Sequence, residues 1–112
     1  MEEDTDGYRS LFKDAVRKII DNFNPEKIIL FGSYAYGQPD EHSDVDLLII
    51  KELEQSPVRE AISIRKAWHP VRASVGSFPF DLLVISPEDH KRRLAHSAGF
   101  YDEIVRRGIQ LA

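Results

Sequence analysis

The chain has 112 residues, 42% hydrophobic and 30% charged, with a net charge of −4. That length suits a single domain over residues 1–112, the proportions are those of an ordinary soluble globule, and the negative balance argues against a broad basic face for nucleic acid. Cysteine is absent, which excludes disulfides and cysteine-ligated zinc. No apolar run approaches the roughly 20 residues that cross a bilayer, and the acidic start Met1-Glu2-Glu3-Asp4 is the opposite of a secretory leader, so the cytoplasm is the expected compartment.

Residues 1–7 read as a frayed polar tail. From Tyr8 to Phe23, the apolar residues Phe12, Val16, Ile19, Ile20 and Phe23 recur at helical spacing. Asn24-Pro25 ends that helix, because a residue before proline avoids the α region. Ile28 to Phe31 is a short continuous apolar run, the pattern of a buried strand. Ser33 to Tyr36 is expected as a short helix closed by Gly37, and Gln38 to Ser43 as a polar loop.

Asp44 to Ile50 is the second expected strand. Ser56-Pro57 places an N-cap before a proline at the first helical position, with Glu60 one residue late for a capping box. The helix that follows runs to about Trp68 and is expected to bury Ala61, Ile62, Ile64 and Trp68. After a loop over Val71 to Pro79, Phe80 to Ile85 is the third strand. Ser86-Pro87-Glu88-Asp89 is a capping box opening a basic helix, and Phe100 to Arg107 is a last helix with Gly108 as its C-cap. The order α-β-α-β-α-β-α-α predicts an α/β (α+β) fold, a short sheet flanked by helices. It does not say which strands run parallel.

Asp44 and Asp46 stand two apart in a strand, so both carboxylates project from one face. Two anions on an otherwise apolar strand repel each other and add nothing to folding. A divalent cation between them removes the repulsion, and carboxylate oxygen is what magnesium prefers. Asp81, between Phe80 and Leu82, is a third acid near the start of an apolar strand. If its strand neighbours that of Asp46, the three carboxylates converge and can hold two metals for in-line phosphoryl transfer. Gly32-Ser33 falls where a strand gives way to a short helix, a setting that suits phosphate, with a simple serine N-cap as the plainer alternative.

Gly32-Ser33, ten residues and then Asp44-Val45-Asp46 spell G-S-x10-D-x-D. Together with the flanks Leu30 to Gly37 and Ser43 to Ile49, this resembles the signature of the nucleotidyltransferase superfamily that includes DNA polymerase beta. Phe80 to Val84 matches its third-carboxylate strand, and Gly99 to Gly108 is similar to the ending of the short prokaryotic members. The resemblance implies a mixed sheet with the metal site at one edge. Gly32 and Ser33 would bind the triphosphate of ATP or another nucleoside triphosphate. Asp44, Asp46 and Asp81 would hold two magnesium ions, with Asp81 near the attacking hydroxyl. Short members of this kind, the minimal nucleotidyltransferases, are often encoded beside a helical HEPN-class protein. There they act as antitoxins by attaching adenylyl groups to a tyrosine of that toxin. A HEPN-like partner is therefore expected, with neither membrane nor nucleic acid as the main one; a homo-oligomer is left open. Two other readings stand beside it: a binding module that masks its partner, and a small-molecule transferase of the antibiotic-modifying kind.

Arg65, Lys66, Arg72, Lys91, Arg92 and Arg93 are candidate triphosphate or partner contacts, though solvated helix faces explain most of them. His42, His69, His90 and His96 lack zinc spacing, and Tyr34, Tyr36 and Trp68 read first as packing residues.

Overall fold

The computed structural model describes residues 16–37, 45–67, 80–96 and 99–112. Of the residues singled out above, Asp44, His42, His69, Trp68 and Arg72 lie outside these, as do the expected tail and the loop after Trp68. The described elements are helix α1 (residues 16–23), β1 (Lys27–Phe31), α2 (Ser33–Tyr36), β2 (Val45–Ile50), α3 (Pro57–Ala67), β3 (Phe80–Ile85), α4 (Pro87–His96), α5 (Phe100–Arg107) and β4 (Ile109–Gln110).

The strands form one mixed sheet in the order β3-β2-β1-β4. β1 runs antiparallel to β2 and β4, whereas β2 and β3 run parallel. The expected fold, a short mixed sheet flanked by helices, is the one observed. β2 sits inside the sheet with both faces covered, which is why its sequence is a continuous apolar run rather than an alternation. On one face Ile28, Leu30, Val45, Leu47, Ile49 and Val84 pack with Val16 and Ile19 of α1 and Ile64 of α3. On the other, Ile29, Leu48, Ile50 and Ile85 pack with Tyr101 and Ile104 of α5.

Three sequence expectations change. The chain does not end on a helix: Gly108 has φ −70° and an extended backbone, and it leads into β4, whose Ile109 pairs with Leu30. A Cβ at Gly108 would overlap Ile29 and the Ile104 carbonyl, so only glycine lets α5 turn this tightly onto β1. In α3, Ile64 is buried as expected, but Ile62 is 47% exposed. Glu60 joins no capping box. Its carboxylate is buried, accepts from the Glu54 N–H at 2.8 Å, and pairs with the buried Lys51 ammonium at 3.0 Å. Burial alone would raise the Glu60 carboxyl, yet the hydrogen bonds from Glu54 and Lys51, with the charge of Lys51, hold it below its ordinary value. Ser56 does cap α3, accepting from the Arg59 N–H, and Ser86 caps α4, accepting from the Asp89 N–H at 3.0 Å. The Asp89 carboxylate is engaged by Arg92 and Arg93.

Helices α4 and α5 are tied by His90, whose Nδ1 hydrogen-bonds the Tyr101 hydroxyl. Burial holds the His90 ring below its ordinary value, helped by the Lys27 charge, and burial pushes the Tyr101 phenol up to about 12. His90 is thus a core residue joining two helices.

Candidate active site

Strand alternation decides which side chains meet. Asp46 continues the face of Leu48 and Ile50, Asp81 that of Leu83 and Ile85, and Phe31 that of Ile29, so all three lie on the face covered by α5. Register then aligns them. Phe31 pairs with Asp46 across the antiparallel ladder, and Asp46 pairs with Asp81 across the parallel one. One row across the sheet therefore reads aromatic, acid, acid, at strand spacings of about 4.8 Å. The adjacency that the three-aspartate reading required, β2 beside β3, is present for Asp46 and Asp81.

Gly32 closes the row from above. Its φ of 77° and ψ of −160° belong to a region open essentially to glycine. A Cβ there would overlap Oδ2 of Asp46 and lie 3.1 Å from its Cγ. The glycine of the turn and the aspartate of the strand are thus one structural unit, which explains why a glycine at this spacing accompanies the acid. Gly32 is also the N-cap of α2, making no side-chain cap hydrogen bond, so Ser33 is the first helical residue and the serine-cap alternative does not hold. Gly37 ends α2 in the left-handed conformation, φ 82°, as expected.

Gly32, Asp46 and Asp81 line a cavity of about 480 Å³ whose remaining wall includes Phe31, Tyr36, Phe100 and Glu103. Asp81 is open to solvent, its side chain 67% exposed, and its carboxylate stands 3.7 Å from the exposed Arg65 guanidinium. Such a pair is weak and readily exchanged for a ligand. On the opposite wall Glu103 accepts from Arg107 at 2.8 Å, and the Arg107 guanidinium lies 4.1 Å over the Tyr36 ring, linking α5 to α2.

The oxygen donors fit a magnesium ion. Magnesium is commonly held by one or two carboxylates plus phosphate oxygens, and Asp46 and Asp81 supply two carboxylates side by side. Among the described residues no group of three or more acids or histidines forms a complete ligand set; the third acid of the expected trio, Asp44, lies outside them. Sequence reasoning missed Phe31, Phe100 and Glu103; it named Arg65 as a candidate triphosphate or partner contact, and the structure places it beside Asp81. A continuous apolar run such as Ile28 to Phe31 hides which residues share a face with an acid on the next strand, so nothing in the pattern marked Phe31.

Residues 11–74 match the family described as the nucleotidyltransferase domain, a span that holds Gly32, Ser33, Asp44 and Asp46. The chain belongs to that family. It is also 40% identical over 86 residues to a protein of Methanocaldococcus jannaschii, covering 77% of this chain and 78% of the relative. That relative bears the name protein adenylyltransferase MJ0141, a name given provisionally. As a member of this family the chain is a nucleotidyltransferase. No helix among the described residues is long and apolar enough to cross a membrane.

Proposed function

We propose that this nucleotidyltransferase moves an adenylyl group from magnesium-bound ATP onto a hydroxyl of a protein, a tyrosine of a HEPN-type helical toxin, and so acts as its cytoplasmic antitoxin. The observation that carries the reading is the in-register opposition of Asp46 and Asp81, with Gly32 pressed against the Asp46 carboxylate. A protein acceptor is supported by the name of the M. jannaschii relative, and the helical partner by the resemblance to short prokaryotic members.

Asp46 and Asp81, with Asp44, would hold two magnesium ions. These ions supply charge neutralisation at the attacking and leaving oxygens. The backbone of the Gly32-Ser33 turn would carry the triphosphate, since glycine allows close approach and a helix start favours anions. The acceptor oxygen forms a bond to the α-phosphorus, the bond from that phosphorus to the bridging α–β oxygen breaks, and pyrophosphate leaves. Asp81, whose side chain is 67% exposed, would take the acceptor's proton.

The test is intact-mass measurement of the partner after incubation with the full chain and Mg-ATP. The expected result is a partner carrying adenylyl groups on a tyrosine, with none added when magnesium is chelated. An unmodified partner, under conditions where a control transferase works, contradicts the reading. So does inhibition of the partner that needs no nucleotide.

A further inference from the structure

Phe100 is 71% exposed, the most exposed large hydrophobic residue among those described. A single exposed apolar residue needs no explanation, but Phe100 does not stand alone. It lines the cavity that holds Gly32, Asp46 and Asp81. Its ring meets Phe31 edge to face, with centroids 6.4 Å apart and planes at 81°, a favoured aromatic geometry that fixes the ring's orientation. The helix beneath is anchored, with Tyr101 and Ile104 buried in the core and Arg107 reaching across to Tyr36.

We propose that Phe100, backed by Phe31, is the platform on which the nucleobase of the substrate stacks, an inference that rests on the nucleotide-transfer reading above. Phe31 begins the row that continues through Asp46 to Asp81, so the aromatic end lies about one strand spacing from the first carboxylate. One nucleotide joins its base to its reacting phosphorus through a single sugar, and Phe100 lines the same cavity as Asp46 and Asp81. The same cavity wall carries the turn assigned to the triphosphate and the exposed ring, so one molecule touches both. A stacking platform recognises a π-face rather than a hydrogen-bond pattern. The site therefore favours purine over pyrimidine triphosphates by the larger ring and separates ATP from GTP poorly.

The test is calorimetric titration of the full chain with Mg-ATP, Mg-CTP and magnesium tripolyphosphate, in wild type, Phe100→Ala and Phe100→Tyr. Because the side chain is exposed, these changes leave the core intact. Phe100→Ala is expected to weaken ATP roughly 5- to 150-fold, the range for losing one base–aromatic stack, and to leave tripolyphosphate affinity unchanged. Phe100→Tyr, which keeps the ring, retains ATP affinity. In wild type ATP binds more tightly than CTP. Unchanged ATP affinity in Phe100→Ala overturns the platform and leaves the transfer reading standing. An equal loss for ATP and tripolyphosphate also overturns it, because the residue then acts through the placement of α5. If wild type binds neither ligand, the nucleotide reading fails and the platform with it.

Discussion

The two ends of β2 handle charge in opposite ways. At its far end Lys51 and Glu60 are both buried, opposite in sign and joined at 3.0 Å, and the remaining carboxylate oxygen is taken by the Glu54 N–H. At its near end Asp46 faces Asp81 in register, two groups of one sign bordering an open cavity. The first arrangement is complete within the chain. The second sets like charges side by side, with the exposed Arg65 guanidinium 3.7 Å from Asp81, and a bound cation would relieve the repulsion between the two acids. Charge that serves the fold is buried and closed, whereas charge that serves a ligand borders an open cavity.

The comparison breaks most readily at the closed end. Glu60→Ala strands the Lys51 ammonium in the core and is expected to cost about 3–5 kcal/mol. Denaturant unfolding measures this, and transfer by the folded fraction should be unaffected. A loss below about 1 kcal/mol would mean that the pair behaves as a surface bridge. Gly32→Ala comes next and strikes the open end. It puts a Cβ into the Asp46 carboxylate and forces an L residue into a glycine conformation, at a cost of about 1–3 kcal/mol. Displacing the acid should also lower transfer about 100-fold in the protein that remains folded. Wild-type turnover in this variant would show that the close approach has no catalytic part.

Between the two ends, the His90–Tyr101 contact holds α5 over the open face. The Tyr101 phenol is raised to about 12, so its contribution is complete below its unfolded value near 10 and is lost as pH rises through about 12. The alkaline loss is on the order of 2–3 kcal/mol, and Tyr101→Phe should abolish that limb. The His90 ring is lowered, so its contribution is present above the unfolded value of about 6.5 and falls away with acid below it. Unfolding curves from acid to alkaline pH, with and without the substitution, decide both limbs. The smallest effect is at the exposed Arg65–Asp81 pair. Arg65→Gln should change stability by less than about 0.5 kcal/mol, and a larger loss would make this contact part of the frame.

Much of this comparison was legible in the sequence. The runs Ile28 to Phe31, Asp44 to Ile50 and Phe80 to Ile85 marked the three long strands because their described residues contribute to the cores on both faces of the sheet. Asp46 stood out because an acid interrupts such a run, and Gly32 because of its spacing to it. What was hidden depends on pairing. β4 is two residues long and exists through its partner β1. Glu60 looked like a helix-start acid because its partner Lys51 lies nine residues back, just past the end of β2. The direction of β3, on which the place of Asp81 depends, is a property of the sheet and leaves no local mark. Phe100 carried no signal beyond its position after Gly99, because an aromatic at a helix start reads as packing until the cavity beside it is known.

The central question is whether the acids at the open end are there for transfer. The decisive measurement is the rate of adenylyl transfer to the partner by Asp46→Asn, in protein whose unfolding free energy has been determined without metal. The predicted result is a fall of at least about 1000-fold, the several kcal/mol a metal site supplies to the transition state, in a chain as stable as wild type or more so. Transfer at the wild-type rate, or a chain that no longer folds, would contradict it.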